Sequence, residues 1–266
     1  MSVFEKPRNW AFNLLAPKTP FYVISHERSG THFAINTLFR NTYVAQTFSY
    51  VGDWLGPYGK PETRYQHLDR FREEWPERRR TGGLIKSHCD SVTFVKHFPK
   101  AKVVYVLRDP RDTLVSFFHY LNSEALYGTN PGLANQRCRD FSEFLRRPAT
   151  DYLRMGFFED ANFDNVVGRW ASHTHGWLAR PEVCVLRYED LKSDYRACVR
   201  RACRSVGLLP RLRQQAVGLQ DGASILPRKG VVGDWKNMFT VEDEEFLQRE
   251  LAPWKLPEAV TGFCPS

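Results

Sequence analysis

Residues 21–39 read FYVISHERSGTHFAINTLF, and this stretch sets the fold expected for the rest of the chain. Phe21–Ser25 is a short apolar run typical of a buried strand, and the residues from Thr31 onward place apolar side chains at helical spacing. A strand, a tight polar turn and a helix in this order direct the N–H groups of the helix N-terminus at the turn, where they bind anions. Gly30 lets the backbone come close to a ligand, and Arg28 adds a permanent positive charge. The stretch therefore predicts an anion-binding loop.

A simpler interpretation of the same stretch stays open. Ser29, Thr31 and His32 would add side-chain donors to an anion site, but an ordinary connection from strand to helix has a similar pattern. The loop also lacks the G-x-x-x-x-G-K-[ST] spacing of a Walker A motif. Nothing in it therefore supports nucleotide hydrolysis of that type.

The length, composition and charge of the chain restrict its class of function. At 266 residues it has room for one large α/β domain or two small ones, and we expect a single domain over residues 1–266. Its hydrophobic content of 42% is typical of a globular protein. The net charge of +8 favours anionic ligands, but the basic residues are too dispersed to require nucleic acid as a partner.

Cysteine usage and hydropathy indicate the compartment. The six cysteines form no C-x-x-C pair, so their spacing favours reduced thiols over a zinc site or a dense disulfide framework. No apolar stretch approaches the roughly 20 residues that span a bilayer, and the first residues are a poor signal peptide. We expect a cytoplasmic protein without stable membrane insertion and without a metal site.

Predicted strands and helices alternate along the chain. The strands are predicted at 21–25, 83–87, 103–107 and 183–186, and the helices at 31–40, 94–98, 113–121, 141–145, 165–178, 191–206 and 240–251. Composition predicts loops or lids at 43–64 and 122–137. This alternation is typical of an α/β domain whose central, mainly parallel sheet is flanked by helices.

Four polar side chains each follow a predicted strand. They are Arg28, His88, Arg108 and Tyr188. Ligands of α/β sheets bind at the carboxyl ends of the strands. We therefore expect these side chains to share one site.

Several separated segments resemble the motifs of the sulfotransferases that use 3′-phosphoadenosine 5′-phosphosulfate (PAPS). Residues 27–33, ERSGTHF, are similar to the P-loop-like phosphosulfate loop of that family, usually P-K-S-G-T-T-W, and residues 86–88, KSH, are similar to its K-T-H. Residues 105–116, YVLRDPRDTLVS, are similar to the segment that holds the 3′-phosphate with an Arg and a Ser eight residues later. Residues 228–240, RKGVVGDWKNMFT, match the loop R-K-G-x-x-G-D-W-K-x-x-F-T that closes on the nucleotide. Residues 188–190, YED, match a segment whose tyrosine lies near the adenine in that family.

The resemblance implies an activity and the residues that perform it. The enzyme would move a sulfuryl group from PAPS to the hydroxyl, less often the amine, of a small-molecule, lipid or glycan acceptor, by in-line transfer without a metal. His88 would act as general base, with Arg28 and Lys86 as further catalytic residues. The residues implied in nucleotide binding are Arg28, Ser29, Gly30, Thr31, His32, Phe33, Arg108, Ser116, Tyr188, Arg228, Lys229 and Gly230.

Three residues of the phosphosulfate loop depart from the pattern of the family. Arg28 stands where the soluble members usually have Lys, so the charge is kept but is presented as a rigid fork. Phe33 replaces the usual Trp and keeps an aromatic face for the adenine. Glu27 stands in place of Pro, and the sequence offers no reason for it.

Two other functions stay open. A catalytically silent module that binds a phosphoadenosine ligand would need neither His88 nor the cation Arg28, and both are present. A P-loop-type kinase would need a Walker A lysine, which is absent, and an acidic magnesium site. The sequence identifies neither the acceptor nor the oligomeric state.

Overall fold

The computed structural model describes residues 20–44, 48–51, 83–123, 137–148, 163–218 and 229–262. The strands in these ranges are β1 (Phe21–Ser25), β2 (Phe48–Val51), β3 (Leu84–Ser87), β4 (Lys102–Leu107) and β5 (Cys184–Arg187). The α-helices are α1 (Thr31–Asn41), α2 (Ser91–His97), α3 (Pro110–Leu121), α4 (Phe141–Arg146), α5 (Val166–Leu178), α6 (Tyr188–Ser193), α7 (Tyr195–Val206), α8 (Val241–Leu251) and α9 (Glu258–Thr261). Short 3₁₀ helices cover Asp234–Asn237 and Ala252–Trp254.

The described strands form one parallel sheet in the order β2-β3-β1-β4-β5. β1 lies in the middle, paired with β3 on one side and β4 on the other. Because every strand runs in the same direction, the loops that follow the strands all open at one edge. The predicted fold class, an α/β fold with a parallel sheet flanked by helices, is confirmed.

Helices cover both faces of the sheet. Phe21 and Val23 of β1 belong to a core shared with α1, α6 and α7. Tyr22 and Ile24 point to the other face and belong to a core shared with α2 to α5 and α8. Successive side chains of a strand face opposite sides, so a strand buried on both faces reads as the continuous apolar run seen in the sequence.

The predicted helix at 191–206 is wrong, because the chain forms two helices there. α6 starts directly after β5, at Tyr188, and α7 starts after Asp194. The Asp194 carboxylate accepts a hydrogen bond from the backbone N–H of Ala197 (3.0 Å) and caps α7. An aspartate that satisfies a helix N-terminus in this way interrupts a run that otherwise has helical periodicity.

The predicted loop at 43–64 is wrong in one part. Phe48–Val51 is an edge strand that pairs with β3. The run FSYV is aromatic and β-branched, and its strand propensity outweighs the neighbouring glycines and prolines. Most of the two predicted loops or lids, namely residues 52–64 and 124–136, lies outside the described residues.

Caps set where several helices begin. α2 and α3 begin three residues before their predicted starts, because the Asp90 and Asp109 carboxylates accept hydrogen bonds from the first-turn N–H groups of Thr93 and Arg111 (2.8 Å each). The last long helix begins within one residue of its predicted start, because Thr240 forms a capping box with Asp243 at the start of α8.

Among the described residues no helix is long and apolar enough to cross a membrane. Nor do three His, Cys, Asp or Glu side chains in those ranges cluster so as to hold a metal ion. The cysteines there are buried free thiols, namely Cys89, Cys138, Cys184, Cys198 and Cys203.

Candidate active site

The candidate site lies at the carboxyl edge of the sheet, where the loops after β1, β3, β4 and β5 meet. Arg108 donates from a terminal nitrogen to the carbonyl oxygen of Arg28 (3.3 Å), and its guanidinium lies 4.5 Å from the centre of the Tyr188 ring. His88 contacts β1 through a 2.7 Å hydrogen bond from Nδ1 to the carbonyl oxygen of Ser25. The structure therefore places the four residues that follow predicted strands at one edge of the sheet.

Gly30 occupies the tightest part of the β1 loop, residues 26–30. Its φ is +90°, a conformation that glycine adopts without strain. A Cβ at this position would lie 2.3 Å from Cδ2 of Tyr188, far inside van der Waals contact. Gly30 has no side chain to cap α1, so the first-turn amides of that helix are directed at the loop. The strand–loop–helix geometry needed to bind an anion is present.

Arg28 has an unusual backbone conformation and a defined side-chain position. Its φ is +65°, a left-handed conformation that costs a non-glycine residue about 1–2 kcal/mol. Its Nε donates to the hydroxyl of Ser116 (3.3 Å), and its guanidinium lies 5.1 Å from the centre of the Tyr120 ring. The loop conformation therefore directs this cation against α3.

His88 is a buried imidazole in its basic form. It is 8% exposed, and the Nδ1–H bond to Ser25 assigns the lone pair to Nε2. Burial and, next, the positive charge of Lys86 lower the pKa of His88 to about 3, against an opposing effect of Glu27. At neutral pH the imidazole can therefore accept a proton.

The backbone next to His88 is held by α5. Nε2–H of His173 donates to the carbonyl oxygen of His88 (3.2 Å), and Nδ1 of His173 lies 3.1 Å from the hydroxyl of Tyr105, which donates to it. Trp177, one turn further along α5, donates to the carbonyl oxygen of Cys89 (3.0 Å). α5 thus fixes the loop that carries the candidate base.

Lys86 and His32 form a direct contact between β3 and α1. The ammonium of Lys86 donates to Nε2 of His32 at 2.9 Å. His32 lies in the first turn of α1, beside the β1 loop. The Lys86 cation is therefore placed at the same edge as Arg28.

Arg108 has the surroundings of an anion-binding residue. It is 5% exposed, donates to the carbonyl oxygen of Val231 (3.1 Å), and lies 3.7 Å from the carboxylate of Asp112. Its Nε is buried and has no hydrogen-bond partner among the described residues. An unsatisfied buried donor costs about 1–3 kcal/mol, and an anionic oxygen would satisfy it.

The 229–240 segment is attached to the site by the first turn of α3. The fully buried carboxylate of Asp112 accepts hydrogen bonds from the backbone N–H groups of Gly233 (2.8 Å) and Trp235 (3.1 Å). The Tyr188 hydroxyl donates to the carbonyl oxygen of Gly230 (3.0 Å). These bonds hold the segment over Arg108 and Tyr188.

The other predicted nucleotide-binding residues lie around the same loops. Phe33 packs edge-on against Tyr188 with 5.5 Å between ring centres. Lys229 is mostly exposed and its ammonium lies 3.4 Å from the Asp234 carboxylate. Ser116 lies beside Arg28, so it joins the two predicted phosphate regions. Arg228 lies outside the described residues.

Comparison with known proteins identifies the family. Residues 18–254 match the sulfotransferase domain family. The chain belongs to this family. The sulfotransferase is 30% identical to sulfotransferase 2A1 of Mus musculus, over 91% of this chain and 85% of the relative. It is also 30% identical to a 3-alpha-hydroxysteroid sulfotransferase of Cavia porcellus, over 64% of this chain and 66% of the relative.

Solved structures show the same fold. A mouse sulfotransferase in complex with PAP superposes on this sulfotransferase with a TM-score of 0.60 at 19% identity, covering 92% of this chain and 87% of the other. A retinol dehydratase in complex with retinol and PAP gives a TM-score of 0.55 at 18% identity, covering 95% and 85%. The prediction of a PAPS-dependent sulfotransferase is confirmed by the family match, and these likenesses confirm the fold.

The sulfotransferase also has a buried ion pair that sequence reasoning missed. The two carboxylate oxygens of Glu27 each accept a 2.6 Å hydrogen bond from Arg169 of α5. Burial raises the pKa of Glu27, but the attraction of Arg169 outweighs this and holds it well below its usual range. The signal in the sequence was Glu27 standing in place of Pro. Nothing pointed to a partner 142 residues away.

The stability of this sulfotransferase is expected to fall as the pH drops from about 6.5, the unfolded value, to about 4, the folded pKa of His173. Burial lowers the pKa of His88 to about 3, that of His173 to about 4 and that of His26 well below its usual range, whereas all three titrate near 6.5 in the unfolded chain. In this window the unfolded chain binds more protons. The stability present above pH 6.5 is therefore lost, by up to about 1.4 kcal/mol per pH unit for each histidine.

Urea unfolding at a series of pH values across this window measures the effect. His173→Gln keeps an acceptor for Tyr105 and a donor for His88 but does not titrate, so the slope should drop by about a third. A stability that stays flat across the window would contradict the buried neutral histidines.

Proposed function

We propose that this sulfotransferase moves a sulfuryl group from PAPS to the hydroxyl of an apolar small molecule, with His88 as general base. One observation carries the proposal. Cationic, amide-lined loops at Arg28 and Arg108 lie at the same edge of the sheet as a neutral, buried imidazole. A transfer between an anionic donor and a neutral alcohol needs these two kinds of group side by side.

The residues present fit the donor. The amides of the first turn of α1, with Ser29, Thr31 and His32, would hold the 5′-phosphosulfate. Arg108, with its unsatisfied Nε, would hold the 3′-phosphate together with Ser116, Lys229 and Arg228. Phe33, Tyr188 and Gly230 would line the adenine. The close approach of Gly30 to Tyr188 supports a cradle that a Cβ would fill.

In the proposed transfer step, each bond change and the proton have a group assigned to them. The acceptor oxygen forms a bond to sulfur while the bond between sulfur and the 5′-phosphate oxygen breaks, and the electron pair stays on PAP. Nε2 of His88 takes the acceptor proton. Arg28 and Lys86 would stabilise the negative charge on the sulfuryl and leaving oxygens. No redox partner is needed.

A pKa near 3 keeps His88 neutral but makes it a weak base in the unliganded protein, so the role needs its proton affinity to rise on binding. Lys86 contributes to that pKa through its positive charge. An anionic group bound to Lys86 would cancel part of the charge and raise the proton affinity of His88 when the acceptor proton has to move. The base is therefore kept neutral before binding and becomes stronger once the donor is bound.

The names of the relatives support an apolar alcohol as the acceptor. One relative is a 3-alpha-hydroxysteroid sulfotransferase, and the solved retinol dehydratase structures contain retinol and androsterone.

We further propose that residues 1–266 form one sulfotransferase domain, supported by the family match over residues 18–254. The buried free thiols support a cytoplasmic location.

Nucleotide binding is expected to depend on the 3′-phosphate. PAP should bind at least about 10-fold more tightly than AMP, because a charge-assisted hydrogen bond from buried Arg108 contributes roughly 1.5–3 kcal/mol. Calorimetry with the two nucleotides measures the difference. Equal affinities for PAP and AMP would contradict the assignment of a 3′-phosphate site at Arg108.

Transfer itself is tested with ³⁵S-labelled PAPS and a panel of 3-hydroxysteroids, retinol and simple phenols. A labelled product with any of these supports the activity, and the preferred acceptor defines the class. Tight PAP binding without transfer to any member would instead support a silent nucleotide-binding module.

A further inference from the structure

We propose that the Glu27–Arg169 ion pair is a positioning device for sulfuryl transfer, which fixes Arg28 relative to His88 by anchoring the β1 loop to α5. This inference rests on the proposed function. It concerns a residue that differs from the proline usual in the resembling motif, so it belongs to this chain.

The contact has the geometry of an anchor. Arg169 is 6% exposed and forms a two-pronged pair with Glu27, with 2.6 Å between each nitrogen and its oxygen. The same guanidinium donates to Nε2 of His26 at 2.8 Å, while Nδ1–H of His26 donates to the carbonyl oxygen of Glu27 (2.9 Å). One arginine therefore fixes two successive side chains of the β1 loop.

The anchored residues come immediately before Arg28. The backbone N–H of Ser29 donates to the carbonyl oxygen of His26 (3.3 Å) and closes the turn around Glu27 and Arg28. Arg28 adopts its strained φ of +65° inside this turn. A strained conformation persists when the residues around it determine it from several sides. The ion pair supplies one of these constraints, where a proline would supply a fixed φ.

α5 carries a second anchor one turn further along. Arg169 holds the loop after β1, and His173 donates to the carbonyl oxygen of His88 in the loop after β3. Residues four apart on a helix lie on the same face, about 6 Å apart along its axis, so their side chains reach two nearby loops. β1 and β3 are neighbours in the sheet. Consecutive turns of one helix therefore hold the cation loop and the base loop at a fixed separation.

Stability alone does not account for such a pair. Two apolar side chains of similar volume often stabilise a buried position as well as a salt bridge does, because both charges must be desolvated. The salt bridge instead fixes direction, since its two parallel hydrogen bonds allow a single orientation. Sulfuryl transfer depends on orientation, and a displacement of about 1 Å can cost on the order of 10² in rate.

Glu27→Gln and Arg169→Lys test the proposal by steady-state kinetics with PAPS and a 3-hydroxysteroid. Glu27→Gln keeps the shape of the side chain but loses its charge. Arg169→Lys keeps the charge but loses the fork. We expect kcat to fall at least about 10-fold in Glu27→Gln and less in Arg169→Lys, with the dissociation constant of PAP within about threefold of wild type.

Asn165→Ala is the matched control. Asn165 caps α5 by accepting from the N–H groups of Val167 and Gly168 (3.0 Å each) and donates to Glu250 (2.8 Å), but the structure shows no bond from it to the β1 loop. This variant should lower the thermal midpoint and leave kcat unchanged. If it lowers kcat as much as Glu27→Gln does, the ion pair acts through stability and the proposal is wrong.

Hydrogen exchange of the peptide covering residues 26–31 gives a readout that needs no turnover. Exchange should be faster in Glu27→Gln and Arg169→Lys than in wild type, and unchanged in Asn165→Ala. Wild-type exchange together with wild-type kcat in both pair variants would overturn the proposal. If wild type transfers sulfate to no acceptor, the proposed function fails, and the exchange result still decides whether the pair fixes the loop.

Discussion

Alanine in place of His88 is expected to lower kcat by about 10²–10⁴-fold while the affinity for PAP stays within a few-fold of wild type. The reason is the separation of tasks at the sheet edge. The loops at Gly30 and Arg108 contact the nucleotide in the proposed complex, whereas the imidazole acts on the acceptor proton. Its neutral state and its bond to Ser25 equip it for that step.

Kinetics with labelled PAPS and calorimetry with PAP separate the two effects. His175→Ala is the control, because His175 lies on α5 but is exposed and packs beside Trp254. Added imidazole should restore part of the lost rate in His88→Ala, since the substitution leaves space where the base was. A normal kcat in this variant would require another base and would remove His88 from the mechanism.

Gly30→Ala is expected to weaken PAP binding by about 10-fold or more, and to destabilise the protein by roughly 1–3 kcal/mol. Two causes act together. The backbone at φ +90° disfavours any side chain, and the new Cβ would lie 2.3 Å from the ring of Tyr188. That ring packs against Arg108 and its hydroxyl holds Gly230, so its displacement would disturb the 3′-phosphate side as well.

Gly207→Ala separates the two causes. Gly207 has a similar φ of +77° at the end of α7, but the nearest atom to a new Cβ is the flexible Lys102 ammonium at 3.3 Å. This variant should lose stability and bind PAP normally. The affinities come from calorimetry and the stabilities from urea unfolding. If Gly30→Ala binds PAP as wild type does, the loop is not the nucleotide cradle.

The local elements were predictable wherever the signal is short-range. The strand at Phe21–Ser25 appears with the predicted bounds, because a continuous apolar run between polar turns has few other solutions. The start of the helix predicted at 240–251 depends on a capping box between residues three apart, so it too was predictable. Placing Arg28, His88, Arg108 and Tyr188 after strands was enough to predict that they meet.

Two elements were predicted wrongly because two local signals in the sequence favour different structures. At Asp194, helical periodicity favours one continuous helix, but the capping carboxylate starts a new one. At Phe48–Val51, the neighbouring glycines and prolines favour a loop, but the strand propensity of the run favours an edge strand. Periodicity and composition favoured the wrong outcome in both cases. The hydrogen bonds of the folded chain decide such cases. Both partners of the Asp194 cap lie within three residues, whereas the strand that pairs with Phe48–Val51 lies far along the chain.

The sequence by itself determined the family, four of the five described strands and which residue types meet at the sheet edge, because motif spacing and apolar runs are local properties. Tertiary structure alone decided that Arg169 pairs with Glu27, that His173 holds the His88 backbone, and that Asp112 anchors Gly233. Each of these joins residues more than 80 positions apart. Burial then set the charge states, since the pKa of His88 depends on how completely the assembled sheet and helices exclude water from it.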